Sequence, residues 1–308
     1  MIDNRESIVG SNIERIIRLQ SVFKTLIAVV ALSIVTSVGC KQADEMNALI
    51  VFASASDIGL GEARLPINIV LSDGSRYEDQ AASLIVTYSP PDSTSERYAK
   101  DLKWRPWPVQ GGAYTATMTF DQVGFWTINV KSKESNKIIA TPGAVLVKSA
   151  TDSPNVGDPA PLSVTKTTPI DGNLSSITSA PEPDSDLYAI SFDQAIKSGK
   201  PTVISFSTPA FCSTATCGPQ TQVLSRLADK YSGRSNFIHV EIFDNPDEMQ
   251  QSGDPQVGVE SKIVHEWELH TEPWTFIVDN RGIVVGRYEA FVTTAELEET
   301  LIPIITGP

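Results

Sequence analysis

TVISFSTPAFCSTATCGPQTQVLSRLADKY, residues 202–231, decides how the second half of this chain folds. TVISF is an unbroken apolar run, suited to a strand covered on both faces. Beyond it, Val223, Leu224, Leu227, Ala228 and Tyr231 fall on one face of a helix, with Pro219 in the first turn. The corner between strand and helix carries Cys212 and Cys217. Residues five apart in a regular helix are rotated by roughly 140° about its axis. A disulfide between them therefore needs one cysteine outside the helix, and a helix starting at Pro219 leaves both on the loop. So short a loop adds only about 2 kcal/mol on the chain-entropy estimate, and a domain of this size does not need it. Redox work is the better reason for the pair.

Working outward, the C-terminal part alternates element types. Helix is expected around Phe192 to Ser198, strand at 201–207, helix at 219–232 and strand at 236–243. A helix at 257–268, paired strands at 274–279 and 283–289, and a final helix at 294–305 follow. Asn280 to Gly282 supply the hairpin turn. The order is β-α-β, then β-β-α.

On the strand, Phe211-Cys212 at its end, the following helix, the Glu272-Pro273-Trp274 loop and the closing hairpin and helix, this part resembles the thioredoxin superfamily. The resemblance implies that Cys212 lies at a helix N-terminus, where free amides and the helix dipole favour the thiolate. It implies that Cys212 attacks, Cys217 resolves and Pro273 is cis. Phe211, Glu272 and Trp274 would then border an extended substrate, which the Glu272 backbone binds. The chain departs from the family in its Cys-x4-Cys spacing and in having Ser205 near the place of the family's buried acid. A second register takes Cys217-Gly218-Pro219-Gln220 as the family's Cys-Gly-Pro-Cys with its last cysteine lost.

Upstream, residues 48–149 read as an all-β sandwich, with strands expected at 48–54, 64–72, 82–89, 113–120 and 125–132. Leu65, Ile67, Ile69 and Leu71 alternate with polar residues before an Asp73-Gly74 turn. The phrase GAYTATMTFDQVGFWTINV, 112–130, resembles the ending of immunoglobulin-like exported modules related to FixH and YtkA proteins. Trp104, Trp107 and Tyr114 form either a ligand-facing patch or a cover on the open end of the core. Residues 150–186, rich in Ser, Thr and Pro, read as a linker or wrapping segment. Within it VGDPAPLSVTKT, 156–167, resembles the lead-in of extracytoplasmic thioredoxin-fold proteins. The thioredoxin-like domain proper then occupies 187–308.

The first 39 residues set the compartment. Arg15, Arg18 and Lys24 precede fifteen uncharged residues, Thr25 to Gly39, and then Cys40. This is a signal peptide or membrane anchor. Ser37-Val38-Gly39-Cys40 resembles the lipobox of bacterial lipoproteins, which implies lipidation of Cys40 and a tether at 40–47. The alternatives are an uncleaved helix and full secretion. Twenty-four Lys and Arg against 37 Asp and Glu give a net charge of -13, which argues against nucleic acid and anionic membrane surfaces as partners.

Of three histidines, His239 is expected to be structural and His265 exposed or packed. His270, three residues before Pro273, should approach the cysteine corner. Two thiolates and an imidazole suit Cu(I), as in the Sco copper-assembly proteins, which this arrangement resembles. The expected function is a membrane-tethered extracytoplasmic thiol–disulfide oxidoreductase without cofactor, acting on exported protein thiols or disulfides through Cys212 and Cys217. A non-catalytic thioredoxin-like binding module and a copper carrier using Cys212, Cys217 and His270 are the alternatives.

Overall fold

The computed structural model describes residues 49–77, 83–109 and 111–306. The expected signal or anchor, the tether and Cys40 lie outside these residues. Among the described residues no helix is long and apolar enough to cross a membrane. Residues from Leu49 onward form one compact unit.

Among the described residues nine strands build the sandwich: β1 Leu49–Ala53, β2 Ile58–Gly59, β3 Gly61–Leu71, β4 Leu84–Ser89, β5 Arg97–Tyr98, β6 Lys100–Pro106, β7 Gly112–Phe120, β8 Gly124–Ser132 and β9 Gly143–Lys148. One sheet has the order β1-β3-β7-β6, the other β2-β9-β8-β4-β5. The alternating Leu65, Ile67 and Ile69 are buried with Met118, Phe120, Trp126, Ile128 and Val130 in one core. Sequence patterning misses β2, β5, β6 and β9. In β6 the reason is visible: KDLKWRP is an edge strand, bulged between Lys100 and Lys103, and edge strands carry charge instead of alternation.

The second half adds α1 Phe192–Lys197, β10 Thr202–Ser207, α2 Cys217–Lys230, β11 Asn236–Glu241, α3 Pro246–Ser252, α4 Lys262–Glu266, β12 Trp274–Val278, β13 Val284–Glu289 and α5 Thr294–Thr306. The sheet order is β11-β10-β12-β13, with β10 parallel to β11 and antiparallel to β12. Successive side chains of β10 face opposite sides. Val203 packs with Leu224 and Leu227 of α2 and Leu297 and Leu301 of α5. Ile204 and Phe206 pack with Phe192 of α1, Val264 of α4 and Trp267.

Two helix expectations are corrected. The helix expected at 257–268 is a 3-10 turn, Pro255–Val257, followed by the short α4, because Gly258 is extended between them. The polar α3 was not expected, since only its Pro246 and Met249 are buried. A third correction moves the start of α2 from Pro219 to Cys217. Proline is tolerated throughout a first turn, whose amides have no helical partner, so it marks the turn and not its first residue.

Residues 150–186 wrap the second half. Gly157 and Ala160 donate to the carbonyls of Val284 and Gly282, and Ser179 donates to Glu241. Charged groups then join the sandwich to β13 and α5. Arg64 grips Glu296 with Nε and Nη2 at 2.6 and 2.9 Å, and Arg287 reaches Asp57. Trp107, the sandwich aromatic expected at a ligand patch or core end, lies edge-on to Phe291 in the core shared with α2 and α5, while Tyr114 is in the sandwich core.

Candidate functional site

The corner after β10 begins with Thr208 and Pro209 and turns through Phe211, whose amide donates to Thr208 O. Cys212 and Cys217 are disulfide-bonded with Cα atoms 5.9 Å apart. Between them Ala215 adopts φ 56°, a left-handed conformation that costs a non-glycine residue about 1 kcal/mol and reverses the loop. Thr216 holds the N-cap position without a side-chain capping bond, so Cys217 is the first helical residue and is fully buried, while Cys212 is partly exposed on the loop. This corrects the expectation that Cys212 occupies the helix N-terminus. The free amides and dipole there act on Cys217.

The Glu272–Pro273 peptide bond is cis. Its loop brings a Glu272 carboxylate oxygen to the pair, so that this oxygen and the two sulfurs all lie within 4.8 Å of one another. Burial, then the nearby Glu241, pushes the Glu272 carboxyl up to about 7. Glu241, at the end of β11, is itself raised by burial, although its Oε2 accepts from the Ser179 amide at 2.7 Å. Oε1 of Glu241 and Oε2 of Glu272 are buried without a hydrogen-bond partner.

Ser205, near the place of the family's buried acid, bonds to Trp274 O and Thr275 Oγ1. Carboxyls thus reach the corner from the ends of neighbouring segments. Sequence reasoning singled out Glu272 for its backbone and missed its side chain. Its adjacency to Pro273 was the available signal. Nothing pointed to Glu241.

The other expected residues separate. Phe211 is partly exposed and edge-on to Phe243. Trp274 is 1% exposed, stacked on Phe276 under Arg287, with its indole N–H donating to Thr271. It belongs to the core and cannot border a substrate, a correction that follows from the inward face of β12. His270 is not brought to the cysteines. Its exposed ring lies 3.5 Å from Asp152, and the third ligand-type residue at the corner is Glu272. His239 is fully buried between the Tyr188 hydroxyl and Ser207, and burial lowers it to about 4. His265 faces Glu260 at 3.1 Å.

A groove of about 410 Å3 runs beside the corner, lined by Pro181, Pro183, Pro209, Gly218, Gln222 and Arg226.

No family model matches the chain, and no curated protein matches it. Among solved structures, a thioredoxin-family thiol:disulfide interchange protein from Chlorobium tepidum TLS is 14% identical, with 49% of this chain and 98% of that one covered and a TM-score of 0.34. The apo form of Trgpx is 14% identical over 40% of this chain and 92% of its own, at a TM-score of 0.25. The Lin-41 filamin domain is 11% identical over 34% of this chain and 96% of its own, at 0.22. The strand order of the second half and the disulfide at the β10–α2 corner are consistent with the expected thioredoxin-like arrangement.

Proposed function

We propose that the chain is a thiol–disulfide oxidoreductase that works outside the cytoplasm, tethered by its N-terminal segment, on disulfides or thiols of exported proteins. One observation carries this reading: a disulfide between one partly exposed and one buried cysteine, placed at a helix start beside a carboxyl with a buried oxygen that lacks a hydrogen-bond partner. The reduced Cys212 thiolate attacks a substrate disulfide, forms a mixed disulfide and expels one substrate thiolate. Cys217 then gives its proton to Glu272, attacks Cys212 Sγ, closes the internal disulfide and expels the second substrate thiolate. Electrons run the other way when the substrate is a dithiol. A carboxyl poised near neutral pH suits this proton transfer in both directions. The groove lined by Pro209 and Gly218 borders the same corner and is the proposed seat of an extended peptide.

Single replacements test the reading. Cys217→Ser should accumulate a mixed disulfide with a peptide disulfide, and Cys212→Ser should not. Each should reduce a small disulfide no faster than buffer. Retention of full reductase activity in either variant overturns the assignment.

A further inference from the structure

The carboxyl at the cysteine corner has no cation. Among the described residues neither Glu272 nor Glu241 makes an ion pair, and each keeps a buried oxygen without a hydrogen-bond partner. Reduction of the disulfide adds two thiols within 4.8 Å of that carboxylate. We propose that the reduced corner binds one zinc-class divalent cation through Cys212 Sγ, Cys217 Sγ and a Glu272 carboxylate oxygen.

A tetrahedral zinc ion holds thiolates at about 2.3 Å and carboxylate oxygen at about 2.0–2.2 Å, which places its ligand atoms roughly 3.5–3.8 Å apart. The three groups already converge within that order of distance, and Cα atoms 5.9 Å apart allow the freed sulfurs to separate to it. Two thiolates exclude magnesium and calcium, while the carboxylate as third ligand favours zinc over Cu(I). Cys217 is buried, while Cys212 and Glu272 are both partly exposed. The fourth position is therefore open to water, as in exchangeable zinc sites.

The chemistry balances in two steps. A phosphine and one water reduce the disulfide, giving phosphine oxide and two thiols. Each thiol then releases its proton to solvent as its sulfur–metal bond forms, and no electron moves. Coordination ties up a sulfur lone pair and slows its attack on disulfides, so the ion holds the site reduced and less reactive. This inference shares with the proposed function the requirement that the pair opens.

The test uses the full chain. Thiols are counted before and after phosphine treatment and anaerobic desalting, and Co2+ is then titrated in and displaced with Zn2+. A gain of two thiols is expected, followed by one equivalent of cobalt giving thiolate-to-metal charge-transfer and tetrahedral d–d bands. Glu272→Gln should keep the two-thiol gain and lose zinc affinity by at least about tenfold. Glu272→Asp should recover part of that loss, and His270→Ala should match the parent. No gain of thiols overturns both readings. A two-thiol gain without the cobalt bands, or equal affinity in Glu272→Gln, overturns the metal site alone.

Discussion

Asp57, Glu289 and Glu296, where the sandwich meets β13 and α5, and Glu241 and Glu272, at the cysteine corner, are all carboxyls taken largely out of water. Asp57 and Glu272 end in opposite electrostatic states. Burial alone would raise Asp57, but hydrogen bonds from Lys148, from the Asp152 and Ser153 amides and from the Ser153 hydroxyl hold it at about 2. Glu289 accepts from the Ser56 amide and hydroxyl, the Asp57 amide and Thr271, and Glu296 is gripped by Arg64. Glu272 has no such hydrogen bonds, and burial, then the nearby Glu241, raises it to about 7. The fully paired acids fasten two sheets together. Glu272, with a buried oxygen that has no hydrogen-bond partner, is left able to exchange a proton or take a ligand.

The comparison breaks most visibly at Asp57. Asp57→Ala strands the largely buried Arg287, and removing one partner of a buried pair costs about 3–5 kcal/mol. Thermal melts should fall by about 6–15 °C at neutral pH, and a change under a degree or two would mean that the network carries no load. The parent should also lose this contribution in acid. Because Asp57 is depressed on folding, its stabilisation is present above its unfolded value of 3.8 and disappears as pH falls through about 2.

Glu272→Gln should do the opposite. The folded value of Glu272 is raised from 4.5 to about 7, so stability tied to its protonated form is present below 4.5 and lost as pH rises through 7. The glutamine variant should melt like the parent at pH 5 and a few degrees higher at pH 8. A variant less stable than the parent at pH 8 would show the carboxylate to be a structural partner.

In chelator-treated protein the resolving attack of Cys217 on a mixed disulfide should rise with pH through about 7, as Glu272, under the influence of Glu241, loses its proton. In Glu272→Gln that midpoint should move toward the ordinary thiol range, about 8.5. An unshifted profile in stopped-flow traces removes Glu272 from the proton transfer. The smallest effect is expected at the exposed rim of the junction. Lys103 and Glu299 are both about half exposed, and Lys103→Ala should cost no more than about 0.5 kcal/mol in a denaturant titration.

Legibility followed the range of the interactions. The apolar runs of β10 and β11, the alternation in β3 and the amphipathic α2 are local signals, and each marks its element in the sequence. The edge strand β6 and the polar α3 lack such a signal, because neither presents a continuous apolar face. The cysteine pair and Pro273 could be read from their neighbours along the chain. The acid chemistry could not, since Glu241 and Glu272 come from different segments and only the packed sheet brings them together. Trp274 misled for the same reason: its place beside Pro273 suggests a substrate border, and the register of β12 turns it inward. The Asp57–Arg287 pair spans 230 residues of chain and has no local trace.

The wrapping segment has one more effect. β13 ends the C-terminal sheet, and an uncovered terminal strand is a template on which a second molecule can polymerise. Gly157 to Ala160 lie along its first residues, exchanging backbone hydrogen bonds with Gly282 and Val284. Part of this flank is thereby occupied by the chain itself, which guards the molecule against fibre growth from that side.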